Sequence, residues 1–171
     1  TDPAADNYNP DATSDDGSCV ITGCTDDTAL NYDANATVAD NTTCYYTLPN
    51  IIINEIHYNP CSSQGGDFDW EFVEFYNAGD EADISGFEVW SAFSDPTSLA
   101  FAMAFPEGTI IPADSYFLVV PGLVAQSNYS DMGITVFLMD NGNWGNGGGT
   151  AQLQDAYGNI VDAVTYDDAA P

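Results

Sequence analysis

The sequence contains no lysine and no arginine. His57 is the only side chain able to carry positive charge, set against 27 aspartates and glutamates and a net charge of −27. No intrachain ion pair to Lys or Arg can form, so the carboxylates must be satisfied by backbone N–H groups, by protonation or by bound cations. Nucleic acid is excluded as a partner, because the chain has nothing to exchange for phosphate counterions. Trypsin-type proteases find no cleavage site, an advantage outside a cell. No apolar run is long enough to cross a membrane, and the first residues lack the basic and apolar segments of a leader, so a secreted form would be the mature part. Neither CxxC nor GxSxG occurs.

What is present is a folding sequence of 171 residues, 44% hydrophobic and 13% aromatic. Four cysteines, Cys19, Cys24, Cys44 and Cys61, are an even set that allows several pairings. Three lie in or beside Asp/Asn-rich loops with almost no core, where a disulfide is the expected staple and the compartment is oxidising and extracellular. Zinc is the competing reading, disfavoured by the single histidine. Residues 1–47 and 50–171 differ in character: the first part is rich in Asp, Asn, Ala and Thr, and the second in β-branched and aromatic residues.

The first part repeats. Asp2 aligns with Asp26, Asn7-Tyr8 with Asn31-Tyr32, Ala12-Thr13 with Ala36-Thr37, Asp16 with Asp40 and, after one inserted residue, Cys19 with Cys44. The units are 1–22 and 23–47, a period that signals a modular array. Cys24 and Cys44 enclose the second unit and are expected to pair. Cys19 then pairs with Cys61 or with a residue of another chain. The repeat resembles the "GCTDPxAxNYxPxAxxDDGSC" units found in tandem in secreted proteins of Bacteroidetes-type bacteria. A unit with one buried Tyr and one disulfide has little to hold it together, and oxygen ligands on Ca2+ would supply the missing stabilisation. Candidate ligands are Asp2, Asn7, Asn9, Asp11, Asp15 and Asp16 in the first copy and Asp26, Asn31, Asp33, Asn35 and Asp40 in the second. The same residues are also turn-makers and caps, and both readings stand at this point.

Eight segments of the second part read as strands: 51–59, 69–77, 84–93, 98–105, 115–120, 134–139, 150–155 and 159–166. Turn chemistry separates them, no segment offers an amphipathic helix, and the spacing argues for an all-β, two-sheet sandwich. The motifs "INEIHYNP", "DWEFVEFYNAGDEADISGFEVW", "FPEGTIIPADSYFLVV" and "GGTAQLQDAYGNIVDAVTYDD", in that order, are similar to the lamin tail domain, an immunoglobulin-like sandwich. Glu55, Glu71, Glu74, Asn77 and Gly86 fall on its pattern. The resemblance implies a binding or structural module of an extracellular protein rather than an enzyme. In similar domains the segment matching "VTYDDAAP" continues into a further strand. Its lack here implies either a longer protein or a strand supplied by a neighbouring subunit.

No catalytic constellation is expected. His57 lies in the first sandwich strand, and Glu71 and Glu74, three apart on a strand, point to opposite faces. Trp144, in "NGNWGNGGG", either stacks on a sugar as an exposed ligand platform or covers the end of the sandwich, while Trp70 and Trp90 are expected in the core. Asn35, Asn41 and Asn128 head sequons, and Thr28 sits in "DTA", similar to a Bacteroidetes O-glycosylation motif. The reading that collects these features is a secreted, calcium-stabilised, self-associating subunit of an extracellular fibre or cell-surface assembly. Its rival is an accessory adhesin or module that binds surface glycans.

Overall fold

The computed structural model describes residues 2–61, 65–93, 95, 97–140, 142 and 144–167. It divides into two compact units, Thr1–Leu48 and Pro49–Pro171. Residues 168–171, where a further strand was expected to be wanting, lie outside the described residues.

The first unit is built from turns. Its regular structure is one short parallel pair, β1 (Thr22–Gly23) with β2 (Val38–Ala39), in register Thr22 to Val38 and Gly23 to Ala39. Buried apolar residues are few and small: Ala5, Ala29 and Cys24, with the polar Asn31 beside them. The expected buried tyrosine is not found. Tyr8 and Tyr32 are 45% and 44% exposed, because the alanines three residues earlier take the interior positions.

The second unit is a sandwich of two four-stranded sheets. One has the order β10 (Thr135–Leu138), β9 (Ser115–Val120), β4 (Phe72–Asn77), β3 (Ile51–His57). The other has the order β12 (Ile160–Asp167), β11 (Gly148–Gln154), β6 (Glu88–Phe93), β7 (Ala100–Ala104). A small antiparallel pair, β5 (Ala82–Asp83) with β8 (Ile110–Ile111), closes one corner. These eight sheet strands fall on the eight segments expected from the sequence. Strand β4 alternates as a half-buried strand must, with Val73, Phe75 and Asn77 buried and the residues between them less so. Phe75 stacks on Phe117 at 5.1 Å, and Phe105 meets Phe117 edge-on at 5.7 Å, filling the space between the sheets. Gly149 is required in β11, since a Cβ there would stand 2.1 Å from the Ala92 carbonyl oxygen of the paired strand.

One element departs from the all-strand expectation. Helix α1 (Leu123–Ser130) links β9 to β10, which pair in parallel with Phe117 opposite Thr135. Parallel neighbours need a crossover of about a dozen residues, usually helical, and the helix answers that need. Its sequence gave no sign, because Gly122 caps it without a side-chain bond, no acidic residue stands in its first turn, and Ala125 is its one buried residue. The helix also explains the unbroken apolar run of β9. Leu118 and Val120 pack with Ala125 on one face, while Phe117 and Val119 face the main core.

Candidate functional site

The two repeats share one hydrogen-bonding plan. Asn7 donates through Nδ2 to the Ser18 carbonyl at 2.7 Å and accepts through Oδ1 from the Val20 N–H at 2.9 Å. Asn31 does the same with Thr43 at 2.9 Å and Tyr45 at 3.0 Å. Each asparagine therefore brackets the cysteine that ends its unit, Cys19 or Cys44. Around these clamps the acidic and amide side chains close Asx turns onto the backbone two residues ahead. Asp2 and Asp26 accept from Ala4 and Thr28, Asn9 and Asp33 from Asp11 and Asn35, and Asp16 and Asp40 from Ser18 and Thr42. Asp15 accepts from Gly17. The Ser18 hydroxyl, which also donates to Asp16, holds that carboxyl below the usual carboxylate range. The Thr28 N–H and hydroxyl, with the Tyr46 hydroxyl, do the same for Asp26, and the bond to Asp26 pushes Tyr46 upward in return.

The turn-making reading thus accounts for Asp2, Asn9, Asp15, Asp16, Asp26, Asp33 and Asp40 by their side chains, and for Asn7 and Asn31 as clamps. Asp11 and Asn35 contribute their backbone N–H groups. Of the calcium candidates, Asn7, Asn9 and Asp16 line one cleft, together with Ala12, Ser14 and Cys19. Among the described residues no three His, Cys, Asp or Glu side chains gather as a metal-holding group. Cys24 and Cys44 form a disulfide with Cα atoms 5.2 Å apart. Cys19 is half-buried and Cys61 exposed. Thr28 is exposed, and its hydroxyl donates to Asp26 at 2.7 Å. Of the sequon asparagines, Asn41 accepts from the Thr25 N–H at 3.0 Å and Asn128 donates to the Asp69 carbonyl at 3.1 Å, while Asn35 lies exposed.

In the sandwich the polar residues of interest hold the frame. Asn77, fully buried, donates to the carbonyls of Asp80, Ile111 and Pro112 at 2.8, 3.2 and 3.1 Å. Its Oδ1 accepts from the Gly79 N–H, so one side chain ties the end of β4 to the β5–β8 corner. Glu71 is buried just before β4 and accepts from the Trp144 backbone N–H at 3.1 Å. Glu74 lies opposite Glu55 on the neighbouring strand and accepts from Asn54 at 2.7 Å, so Glu71 and Glu74 do not share a site. His57 stacks on Phe72 at 5.2 Å. Gly86 has φ of +72°, a left-handed turn conformation that favours glycine.

Of the two readings of Trp144, the exposed sugar platform does not hold: its indole is 0% exposed and forms part of the main core, leaving no ring face for a ligand. Trp70 and Trp90, expected in the core, are only half-buried. Trp90 donates from Nε1 to Glu88 at 2.9 Å and meets Phe101 edge-on, and Trp70 meets Tyr129 edge-on. A glycine-rich loop folds inward more readily than its polarity implies, because Glu71 supplies an acceptor for its backbone. Two further carboxylates were not singled out from the sequence. Buried Asp155 accepts from the Tyr157 and Asn159 N–H groups and from the Asn159 amide, and Asp162 accepts from the Ile53 N–H at 2.7 Å, joining β12 to β3. The turn sequence Asp-Ala-Tyr-Gly-Asn was the available signal for the first.

A family model described as Lamin Tail Domain matches residues 46–168. The chain belongs to the lamin tail domain family. The match takes in both four-stranded sheets, Asn77, Glu71 and the buried Trp144. Comparison with curated proteins gives no match. In this lamin tail domain Asn77 and Glu71 bond to backbone groups and fix a corner and a loop, while Glu74 accepts from the Asn54 side chain. No helix among the described residues is long and apolar enough to cross a membrane.

Proposed function

We propose that the chain is a structural, non-catalytic subunit or segment of an extracellular fibre or cell-surface assembly. One observation carries this reading: two small units of matched hydrogen-bonding plan, joined through the parallel β1–β2 pair, precede a lamin tail sandwich. Repetition of a unit too small to bury its own core is the logic of an array, in which neighbours supply what each unit lacks. The Cys24–Cys44 disulfide supports an oxidising compartment. The absence of Lys and Arg supports resistance to trypsin-type cleavage and a surface that repels copies of itself unless cations screen it. Calcium acts in this reading on the acidic surface as a whole, bringing like-charged subunits within reach of one another.

Electron microscopy of the purified protein tests it, before and after chelation of divalent cations. Ordered filaments that loosen on chelation are expected. Monodisperse particles under both conditions would overturn the assembly, and filaments indifferent to chelation would remove calcium from it.

A further inference from the structure

The two sheets of the sandwich differ on their outer faces. Helix α1 packs on the outer face of the first, over Leu118 and Val120. Among the described residues no helix packs on the outer face of the second. Strand alternation decides which side chains stand there. Ala151 and Leu153 of β11 and Val89 of β6 belong to the main core, so Gln152, Glu88 and Trp90 point outward. Gln152 lies directly opposite Trp90 on one side and Ala163 of β12 on the other, and Trp90 lies opposite Phe101 of β7.

Gln152 is the anomaly of this face. It is 6% exposed, yet no described residue bonds to its side-chain amide. Covered amides without a partner are rare in folded proteins, and Asn77 in the same sandwich uses both ends of its own. A carboxamide offers N–H donors and a carbonyl acceptor side by side, the complement of a hydroxyl group, which also donates and accepts. Aromatic rings stand on one flank: Trp90, half-buried, meets Phe101 edge-on at 5.9 Å, and Phe101 is 38% exposed. The bond from Trp90 Nε1 to Glu88 at 2.9 Å fixes the indole and leaves the second Glu88 oxygen as a further acceptor. Ala163, small and exposed, leaves the other flank of Gln152 open.

Charge narrows the ligand. Of these side chains Glu88 alone ionises, and a chain without Lys or Arg offers no counter-ion to a carboxylated, sulfated or phosphorylated partner. We infer that this face binds a neutral polysaccharide. Sugar hydroxyls bond to the Gln152 amide and to Glu88, and the apolar C–H face of a sugar ring lies against Trp90 and Phe101. Aromatic side chains with a few placed polar groups are the usual make-up of a ligand site, and the rings supply area at little cost in conformational freedom. This site goes beyond the assembly reading above, which stands or falls without it.

The test is a titration of the isotopically labelled full chain with cellohexaose, mannohexaose and xylohexaose, and with trigalacturonic acid as the acidic counterpart, in the absence of divalent cations. At least one neutral sugar should shift the Gln152 side-chain amide and the Trp90 indole N–H, with the buried Trp144 indole and the repeats unmoved. The acidic sugar should shift none of them. Gln152→Leu keeps the bulk of the side chain and removes an amide that nothing in the fold uses. It should leave the denaturation midpoint in place and weaken binding by about tenfold, the loss of a donor and an acceptor together. Phe101→Ala, at a partly exposed position, should weaken binding as well, whether or not the first variant folds. No shift with any neutral sugar at millimolar concentration, shifts confined to other surfaces, or equal binding of the acidic sugar would overturn the proposal. So would a Gln152→Leu variant that binds as the parent does, or one whose midpoint falls, since the amide would then be held by the protein itself.

Discussion

The two halves of this chain solve the same problem by opposite means. The lamin tail sandwich buries Trp144, Phe75, Phe117 and a full set of β-branched residues between its sheets, and its polar groups serve to hold corners of that core. The repeats bury two alanines, a cystine sulfur and an asparagine. What holds them is a sequence of Asx turns, one amide clamp per unit and, in the second unit, a covalent staple. Hydrophobic burial is proportional to area, so a unit of about two dozen residues cannot rely on it. The repeats show how far hydrogen bonds of about 1 kcal/mol net each can replace it, provided that a disulfide restricts the unfolded chain.

The comparison predicts that damage to one half will leave a different signature from damage to the other. The largest effect is expected from Trp144→Ala, which empties the centre of the sandwich and should cost about 3–5 kcal/mol. All three tryptophans, Trp70, Trp90 and Trp144, belong to the sandwich. The fluorescence of the remaining two should therefore report a lowered denaturation midpoint, while amide exchange in the repeats stays as it was. A variant that lost protection in both halves equally would mean that the two do not behave as separate cooperative units.

Reduction of Cys24–Cys44 should come next. The bond closes a loop of 20 residues, worth about 3 kcal/mol in restricted unfolded-chain entropy. Loss of protection at Asp33, Asp40 and Tyr45 is expected, with tryptophan fluorescence unchanged. A smaller effect, about 1 kcal/mol, is expected from Asn31→Ala, which removes a buried side chain and leaves the Thr43 carbonyl and the Tyr45 N–H without their part-buried bonds. Asn7→Ala, at an exposed clamp, should cost less, because water reaches the groups it leaves. Equal losses at the two sites would show that the clamp acts through something other than burial.

The eight sheet strands were legible in the sequence, because β-branched and aromatic runs separated by turn residues have few alternatives to a sandwich. The repeat was legible for a simpler reason: the same turn residues recur at the same spacing. Helix α1 was not, since it carries neither cap nor apolar face and exists to carry the chain from β9 to its parallel neighbour β10, a demand of topology that no local signal announces. Trp144 stood between an exposed platform and a cover for the sandwich end because composition makes "NGNWGNGGG" look like a solvated loop, and the acceptor that draws it inward, Glu71, lies 73 residues earlier. The acidic side chains of the repeats could have been read as ligands or as turn-makers. Only the geometry shows Asp2, Asn9, Asp15, Asp16, Asp26, Asp33 and Asp40 each directing an oxygen at an N–H two residues ahead.

The smallest effect concerns pH, and it separates the halves at one end of the scale only. Asp16 and Asp26 in the repeats, and Asp83 and Asp95 in the sandwich, are each held below the ordinary carboxylate value by a Ser or Thr two residues on. A depressed folded value means the folded state prefers the ionised form. The stabilisation is present above the unfolded value of 3.8 and is lost as pH falls through the lower folded one. Both halves should therefore weaken together below that pH. At the alkaline end burial pushes Tyr166 up to about 12. A raised value favours the neutral phenol in the folded state, so its contribution is complete below about 10, the value of an unperturbed tyrosine, and fades as pH rises through about 12. Tyr46 in the repeats is also raised, by its bond to Asp26, but stands in solvent, where screening leaves little to lose. Between pH 10 and 12 the sandwich should lose more stability than the repeats, read as a fall in the denaturation midpoint by tryptophan fluorescence against unchanged protection at Tyr45. Tyr166→Phe should flatten the alkaline slope, and a slope that survives the substitution would assign it to other groups.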